Sequence, residues 1–252
     1  MAKNPDKPDR AVLWRAASGQ HNLYDGELLS RTLSGAEHLG LVGRIAWVDL
    51  DNAGVIGLQV DEPASTYLSA LLRDAEQTTQ DGLYCLRAGG TAPHWYLSAV
   101  VMPYDTAHEW VSGFSSIALF LSGELLDSTI SSDELLRAFE AVHTPENTEY
   151  ALIHPSAHYD ELSDGPYHDP VTIGPMFRGV FWANYLGPGH IERFEKPHDI
   201  DLAYVWRQNN KGLGFSLGFP LSEVESVEAV KEAKRLTGLF RSKLLKMGSD
   251  SN

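Results

Sequence analysis

The sequence predicts an α+β protein, in which a mainly antiparallel sheet is covered by packed helices. Short apolar or alternating segments typical of strands outnumber the segments with helical spacing, and several neighbouring strand segments are separated only by short turns. Strand and helix segments alternate irregularly, unlike the regular repeat of a doubly wound parallel sheet. The chain closes with a long helical pattern at residues 223–246.

The first half of the chain predicts a sheet crossed by one helix. Residues 11–16 are predicted to form an edge strand, and residues 44–50 and 55–60 a hairpin, because Asp51-Asn52-Ala53-Gly54 supplies turn chemistry between them. Residues 63–77 carry apolar side chains at helical spacing behind a proline suited to a first turn. Further strands are predicted at residues 83–87, 96–102 and 115–121, with residues 88–93 as a connecting loop.

The second half adds one amphipathic helix, at residues 132–142, with a Ser or Asp cap at its start. A strand at residues 150–153 precedes a long irregular stretch, residues 155–175, whose length is typical of a functional loop or a surface crossover. The remaining strands are predicted at residues 177–184, 200–206 and 212–219.

The chain has 252 residues, of which 43% are hydrophobic, so it can bury a substantial core. We expect residues 11–246 to form a single α+β domain, or two closely packed lobes divided near residues 122–132, where the chain is polar. Residues 1–10 and 247–252 are expected to be flexible ends. The polar start lacks the apolar stretch of a secretory signal, and no apolar run approaches the roughly 20 residues that cross a bilayer. The lone cysteine, Cys85, fits a reducing compartment, so a cytoplasmic protein is predicted.

The charge balance is strongly acidic. The chain carries 20 basic and 34 acidic residues, a formal net charge of −14. A nucleic-acid backbone would be repelled by this charge, whereas a basic protein partner would be attracted and would associate faster. Direct nucleic-acid binding and membrane insertion are therefore not expected, and the oligomeric state is left open.

Most of the negative charge falls between Glu124 and Asp169, where eleven carboxylates and one base, Arg137, give a net charge of −10. A solvated face explains such a segment without any partner. The alternative is a docking surface for a basic protein, with aromatic side chains as anchors. The residues proposed for this surface are Asp127, Glu134, Glu146, Tyr159, Asp160, Glu161, Asp164 and Tyr167.

The same segment contains His143, His154, His158 and His168, four potential metal ligands. The His154-Pro155 pair disfavours a helical turn, and the two-histidine helical motif of metalloproteases is therefore missing. Histidines with satisfied hydrogen bonds, or facing solvent in loops, are the simpler interpretation. A metal-dependent hydrolase using His154, His158, Asp160 and His168 is the alternative function, while the main interpretation assigns no catalytic residue, cofactor or metal.

A distinctive stretch follows, Trp182-Ala183-Asn184-Tyr185-Leu186-Gly187-Pro188. Structural needs alone can explain it: Trp182 and Leu186 as core residues, Asn184 bonding a turn, and Gly187 and Gly189 adopting positive φ around the proline. The stretch also resembles the Trp-x-Asn-Tyr/Phe-Leu-Gly-Pro signature of large α+β immunity proteins of bacterial type VI secretion and polymorphic-toxin systems. The resemblance covers residues 178–219, and the proline-rich N-terminal signature of some relatives is missing.

This resemblance implies an inhibitor rather than an enzyme. Proteins of that kind bind a co-produced toxin domain and block its active site or its substrate path, and nuclease toxins are the leading targets. A nuclease holds a polyanion with basic residues, to which the acidic segment is complementary. The expected partner is thus a cognate, basic toxin domain in the cytoplasm.

Overall fold

The computed structural model describes residues 11–19, 26–50, 56–57, 60–78, 84–101, 114–123, 130–157, 179–209 and 211–245. The expected flexible ends, residues 1–10 and 247–252, lie outside these ranges. The described residues form ten strands: β1 Ala11–Gly19, β2 Trp47–Leu50, β3 Ile56–Gly57, β4 Tyr84–Thr91, β5 His94–Val101, β6 Phe114–Ser122, β7 Tyr150–Pro155, β8 Ala183–Leu186, β9 Tyr204–Asn209 and β10 Gly212–Ser216. The helices are α1 Glu27–His38, α2 Ala64–Thr78, α3 Ser132–Val142, α4 Pro188–Ile191 and α5 Val227–Ser242.

All ten strands belong to one sheet, in the order β3-β2-β4-β5-β6-β1-β7-β8-β10-β9. Every pair of neighbours is antiparallel. The predicted α+β class, its antiparallel sheet and its long C-terminal helix are therefore confirmed. None of the described helices has the length and apolar character needed to span a membrane.

Strand β1 lies in the middle of the sheet, and the prediction of an edge strand was wrong. It pairs with β6 along one side and with β7 along the other. Its side chains are buried on both faces, for example Trp14 on one and Ala17 on the other. A strand covered on both faces is apolar on both faces rather than alternating, and all of its first seven residues except Arg15 are apolar.

The first face of the sheet carries the main core under α1, α2 and α3. Directly paired residues of antiparallel strands point to the same face, so one row of buried side chains crosses six strands. The row is Val48, Ala88, Leu97, Leu119, Trp14 and Ile153. The ring of Phe139 on α3 lies 5.7 Å from that of Trp14, and α1 packs against both α2 and α3.

Helix α5 packs on the second face, over the end of the sheet that contains β10. The ring of Phe240 stacks on Phe215 at 5.3 Å and meets Phe194 edge-on at 5.4 Å. The hydroxyl of Thr237 accepts a hydrogen bond from the backbone N–H of Val180. Helices thus cover both faces, at different ends of the sheet.

Several predicted boundaries differ from the structure for local reasons. Helix α1 was missed because Gly35 weakens its helical pattern; a Cβ at Gly35 would lie 3.2 Å from Val142, so the glycine serves close packing against α3. The predicted loop 88–93 is mostly strand, since β4 runs to Thr91 and β5 starts at His94. Glycines interrupt β4 because the indoles of Trp47 and Trp95 lie directly over Gly89 and Gly90.

Three later segments have bounds that differ from the predicted ones. Residues 179–182 of the predicted strand 177–184 are irregular, and the strand is Ala183–Leu186 instead. The predicted strand 200–206 starts only at Tyr204. The final helix begins at Val227, after a 3₁₀ turn at Leu221–Glu223.

Candidate functional site

Only part of the predicted acidic docking surface falls in the described structure. Glu134 and Glu146 are described. The other proposed members lie outside the described residues: Asp127, Tyr159, Asp160, Glu161, Asp164 and Tyr167. Of the alternative metal set, His158, Asp160 and His168 also lie outside, and His154 is described.

Glu134 is exposed and closes the N-terminal cap of α3. Its carboxylate accepts from the backbone N–H and the hydroxyl of Ser131, both at 3.0 Å, while its own N–H donates to that hydroxyl at 3.2 Å. This is a capping box, which satisfies two orphan groups at the helix start. The Ser131 N–H, then its hydroxyl and more weakly Arg137, lower the pKa of Glu134. The carboxylate is therefore ionised at neutral pH while it holds the cap.

Glu146 is an exposed carboxylate on a firmly held turn between α3 and β7. The Asn147 side chain fixes this turn: its oxygen accepts from the Thr144 N–H at 2.9 Å, and its amide donates to the Val142 carbonyl at 2.9 Å. The Asn147 side chain, which makes both of these hydrogen bonds, is buried. The two bonds therefore hold the backbone at Glu146 in place.

The buried side of the same turn contains His143, whose ring tautomer is fixed. Its Nε2 accepts from the Trp14 indole N–H at 2.9 Å, so the proton of a neutral ring sits on Nδ1. Nδ1 donates to the Thr148 hydroxyl at 3.0 Å, which in turn donates to the Asn147 oxygen at 2.6 Å. His143 is fully buried. It connects β1 to the turn that carries Glu146 and is structural rather than metal-binding.

Glu149 belongs to the acidic segment but points inward. Its Oε1 lies 3.0 Å from Nδ1 of His190, and its side chain is only 17% exposed. His190 is itself buried and stacks on the ring of Tyr150 at 5.2 Å. This carboxylate therefore joins the start of β7 to α4 and does not contribute to an exposed acidic surface.

The stretch around Trp182 is a structural joint between the sheet and the α5 side. Trp182 and Leu186 are buried, and the Trp182 indole N–H donates to the Phe219 carbonyl at 2.8 Å. The Asn184 side chain bonds both backbone groups of Phe181, accepting from its N–H at 2.8 Å and donating to its carbonyl at 2.7 Å. These two side-chain bonds take the place of strand hydrogen bonds at Phe181, where the backbone is irregular.

The glycines of this stretch do not adopt the expected positive φ. Gly187 has a φ of −80°. Glycine is required at this position because there is no room for a side chain. A Cβ there would meet the Thr148 carbonyl oxygen and lie 2.8 Å from the Glu149 backbone. A Cβ at Gly189 would lie 2.5 Å from the Glu149 carboxylate. Both glycines allow α4 and the start of β7 to approach closely.

His154, the described member of the alternative metal set, lies in β7 and is 1% exposed. Its Nδ1 accepts from the Trp182 backbone N–H at 3.2 Å, so this nitrogen already has a partner. Among the described residues, no three or more His, Cys, Asp and Glu side chains are grouped as metal ligands.

A second polar feature, missed from the sequence, crosses the sheet face opposite α1–α3. One row of paired residues carries Asp49, Arg87, Ser98, Ala118 and Arg15. Arg87 and Asp49 form an ion pair at 3.4 Å, with the Arg87 side chain 38% exposed. The signal in the sequence was charge inside apolar strands, at Arg15 and Asp49.

An aromatic row runs beside this polar row. The rings of Trp47 and Tyr96 lie 5.9 Å apart, and those of Tyr96 and Phe120 lie 5.7 Å apart. Trp47 and Arg87 are only half buried, so part of the face reaches solvent. Two guanidinium groups and one carboxylate give this face a local charge opposite to that of the acidic segment.

The comparisons with known proteins yield a likeness of fold. No protein-family model and no curated protein matches the chain. Among solved structures, it is similar to "Pseudomonas aeruginosa T6SS protein PA0821", with a TM-score of 0.58 and 8% sequence identity. The match covers 93% of this chain and 73% of that one. At this identity the likeness concerns the fold, which is shared over nearly the whole chain.

Proposed function

We propose that this chain is an immunity protein of a type VI secretion or related toxin system, which binds and neutralises a cognate toxin domain. The acidic segment 124–169 carries this proposal, because its net charge of −10 is most of the charge of the molecule. The fold similarity to a protein named for the T6SS supports it. So does the resemblance of the Trp182 stretch to the signature of such immunity proteins.

The described geometry supports Glu146 as the best-placed carboxylate for a basic partner. It is exposed and stands on a turn that buried hydrogen bonds hold in place. A carboxylate on a turn held by hydrogen bonds loses little backbone freedom on binding, and complementary charge accelerates association. Glu134 adds an ionised carboxylate at the start of α3, and Glu149 is excluded because it faces His190.

The proposed target is a nuclease toxin, because an enzyme that holds a polyanion presents basic groups to the acidic segment. In this proposal Asp127, Asp160, Glu161 and Asp164 extend the surface, with Tyr159 and Tyr167 as anchors. No specific observation favours the metal-dependent hydrolase, since Nδ1 of His154 is already bonded to the Trp182 backbone.

The test uses the product of the neighbouring gene, which this proposal expects to contain the toxin domain. Its affinity for the wild type and for the triple variant Glu146→Lys, Asp160→Lys, Glu161→Lys is measured by calorimetry at low and raised salt, together with rescue of growth on co-expression. We expect the triple variant to bind at least about tenfold more weakly and to lose salt dependence.

One variant serves as a control, and a second variant tests another carboxylate of the proposed surface. The control, Glu228→Lys, changes an exposed carboxylate on α5 by the same charge as each single substitution of the triple variant and should leave binding nearly unchanged. Glu134→Gln removes a charge while a glutamine can still close the capping box. Unchanged affinity and salt dependence in the triple variant would refute the acidic surface, and failure of the wild type to bind or to protect would refute the immunity function.

A further inference from the structure

One buried histidine, His143, belongs to a chain of hydrogen bonds that is complete only when its ring is neutral. The chain runs from β1 to the turn between α3 and β7: the Trp14 indole N–H donates to Nε2 at 2.9 Å, and Nδ1 donates to the Thr148 hydroxyl at 3.0 Å. That hydroxyl donates to the Asn147 oxygen at 2.6 Å. An indole N–H can only donate, so the direction of every bond in the chain is fixed by its first member.

A second proton on the ring of His143 conflicts with this chain. The proton would have to sit on Nε2, where the Trp14 N–H already points, and two N–H groups cannot form a hydrogen bond with each other. The side chain is fully buried, so the imidazolium would also have to give up its hydration. The ring therefore has to leave its site before it takes up a proton.

Side chains from four parts of the molecule contact the ring of His143. They are Trp14 on β1, Phe139 on α3, Thr148 on the turn and Tyr185 on β8. Tyr185 is the titratable group among these four, and a phenol stays neutral in acid. Of the carboxylates on the turn, Glu146 is exposed and Glu149 lies 3.0 Å from Nδ1 of His190. Among these four contacts, the conflict with a second proton arises at Trp14.

The same chain of hydrogen bonds holds the turn that carries Glu146. The Thr148 hydroxyl that accepts from His143 also donates to Asn147, whose side chain fixes the turn through two backbone groups. When the ring of His143 leaves its site, Thr148 loses this donor and the turn loses its connection to β1. Protonation of the ring is thereby coupled to opening of the turn.

We infer that His143 is an acid-sensitive latch, which keeps the turn at residues 144–149 closed at neutral pH and releases it in mild acid. The open turn binds one proton more than the closed turn, so a fall in pH favours the open turn. An imidazole in water titrates near about pH 6.5, so the ratio of open to closed turn should rise about tenfold for each pH unit below that value. Because Glu146 stands on this turn, acid would also weaken toxin binding, a consequence that rests on the proposed function.

The test is hydrogen exchange of the full chain, followed by NMR between about pH 7 and about pH 5. We expect the protection of the Thr148 amide, which donates to the Thr144 carbonyl at 3.0 Å, to fall about tenfold for each pH unit below about 6.5. The amide of Leu236, inside α5, is the internal reference and should keep its protection. A Thr148 protection that does not change with pH overturns the latch. An equal loss at Leu236 also overturns it, because acid would then open the whole fold.

The variant His143→Gln supplies one acceptor and one donor on a side chain that does not titrate. In this variant the protection of the Thr148 amide should be the same across the pH range. The matched control is His38→Gln, an identical change at an exposed histidine at the end of α1, which should keep the pH dependence of the wild type. A pH dependence that survives in His143→Gln contradicts the inference.

Nitrogen NMR of the His143 ring tests the wild type without relying on a variant that folds. As long as the Thr148 amide is protected, the ring should be neutral with its proton on Nδ1. An imidazolium, or a proton on Nε2, in the closed turn would overturn the latch.

Calorimetry with the toxin domain separates this inference from the proposed function. Acid should weaken toxin binding by the wild type more than by His143→Gln. If the turn opens in acid while both proteins lose affinity equally, the latch stands and Glu146 is not part of the toxin-binding surface.

Discussion

Two glycines in this molecule have opposite reasons to be there. Gly187 sits where α4 meets the start of β7, with backbone atoms of Thr148 and Glu149 in the space a Cβ would occupy. Gly238 lies inside α5, exposed, with nothing within 4 Å of its Cβ position. The first glycine is required by packing, and the second only weakens a helix.

We therefore predict that Gly187→Ala lowers the free energy of unfolding by about 1–3 kcal/mol, the usual cost of forcing extra volume into a packed site. Gly238→Ala should raise it by about 0.5–1 kcal/mol, because alanine favours the helix more than glycine does. Urea denaturation of both variants measures these changes. An unchanged stability of Gly187→Ala would mean that α4 can move away from β7 without cost.

At the level of single residues, the sequence predicts the chemical character of a side chain better than it predicts which residues that side chain contacts. The local patterns of Trp182, Asn184 and Gly187 mark a structural joint, but only the structure reveals that Asn184 bonds Phe181 and that Gly187 is needed for space. Counting carboxylates identifies the acidic segment, yet it does not show that Glu149 turns toward His190. The contacts of Gly187 and of His190 with Glu149 join residues far apart in the chain, which local pattern does not encode.

Helix α3 shows how local sequence signals can determine the bounds of an element. Its bounds match the predicted range, because the capping box at Ser131 and the spacing of Leu135, Leu136, Phe139 and Val142 are local signals. Helix α1 has a similar apolar face, but Gly35 obscures it. Its helical state depends on packing against α2 and α3, a tertiary cause.

The cap of α3 should give a pH-dependent contribution to stability. Folding lowers the pKa of Glu134, so its contribution is fully present above the ordinary carboxyl value and is lost as the pH falls through the lowered one. We predict that Ser131→Ala destabilises the protein at neutral pH by about 1 kcal/mol, and that part of this loss disappears in acid.

Ser226→Ala is the matched control, because Ser226 caps α5 by accepting from the Ala229 N–H without a carboxylate at the third position. Its cost should be the same at neutral and acid pH. Thermal denaturation of the wild type and both variants across that range tests the difference; a Ser131→Ala cost that is constant with pH would show that Glu134 does not depend on the serine hydroxyl.

For the whole molecule, the strand order of the sheet is relevant to the alternative of two lobes divided near residues 122–132. Strands β6 and β7 flank the predicted division near residues 122–132, and both pair with β1 in the middle of the sheet. A division there would cut the sheet at its central strand. The sequence could not indicate this, because the pairing partners of β1 lie far along the chain, at Phe114–Ser122 and Tyr150–Pro155.

We predict that the protein unfolds in one transition, with the same urea midpoint by tryptophan fluorescence and by far-ultraviolet circular dichroism. The six tryptophans are spread from Trp14 to Trp206, so fluorescence reports on both halves of the sheet. Two separate transitions, or different midpoints for the two probes, would show that the halves on either side of β1 unfold independently.

The central position of β1 also has a consequence for synthesis. On the ribosome, Ala11–Gly19 emerges well before its partners Phe114–Ser122 and Tyr150–Pro155. Until then an apolar segment with two open edges has no sheet to join, since translation adds only about 5–20 residues each second. Its contacts have high sequence separation, which slows folding. The nascent chain therefore needs protection from aggregation for several seconds, a demand that a chaperone at the ribosome exit would meet.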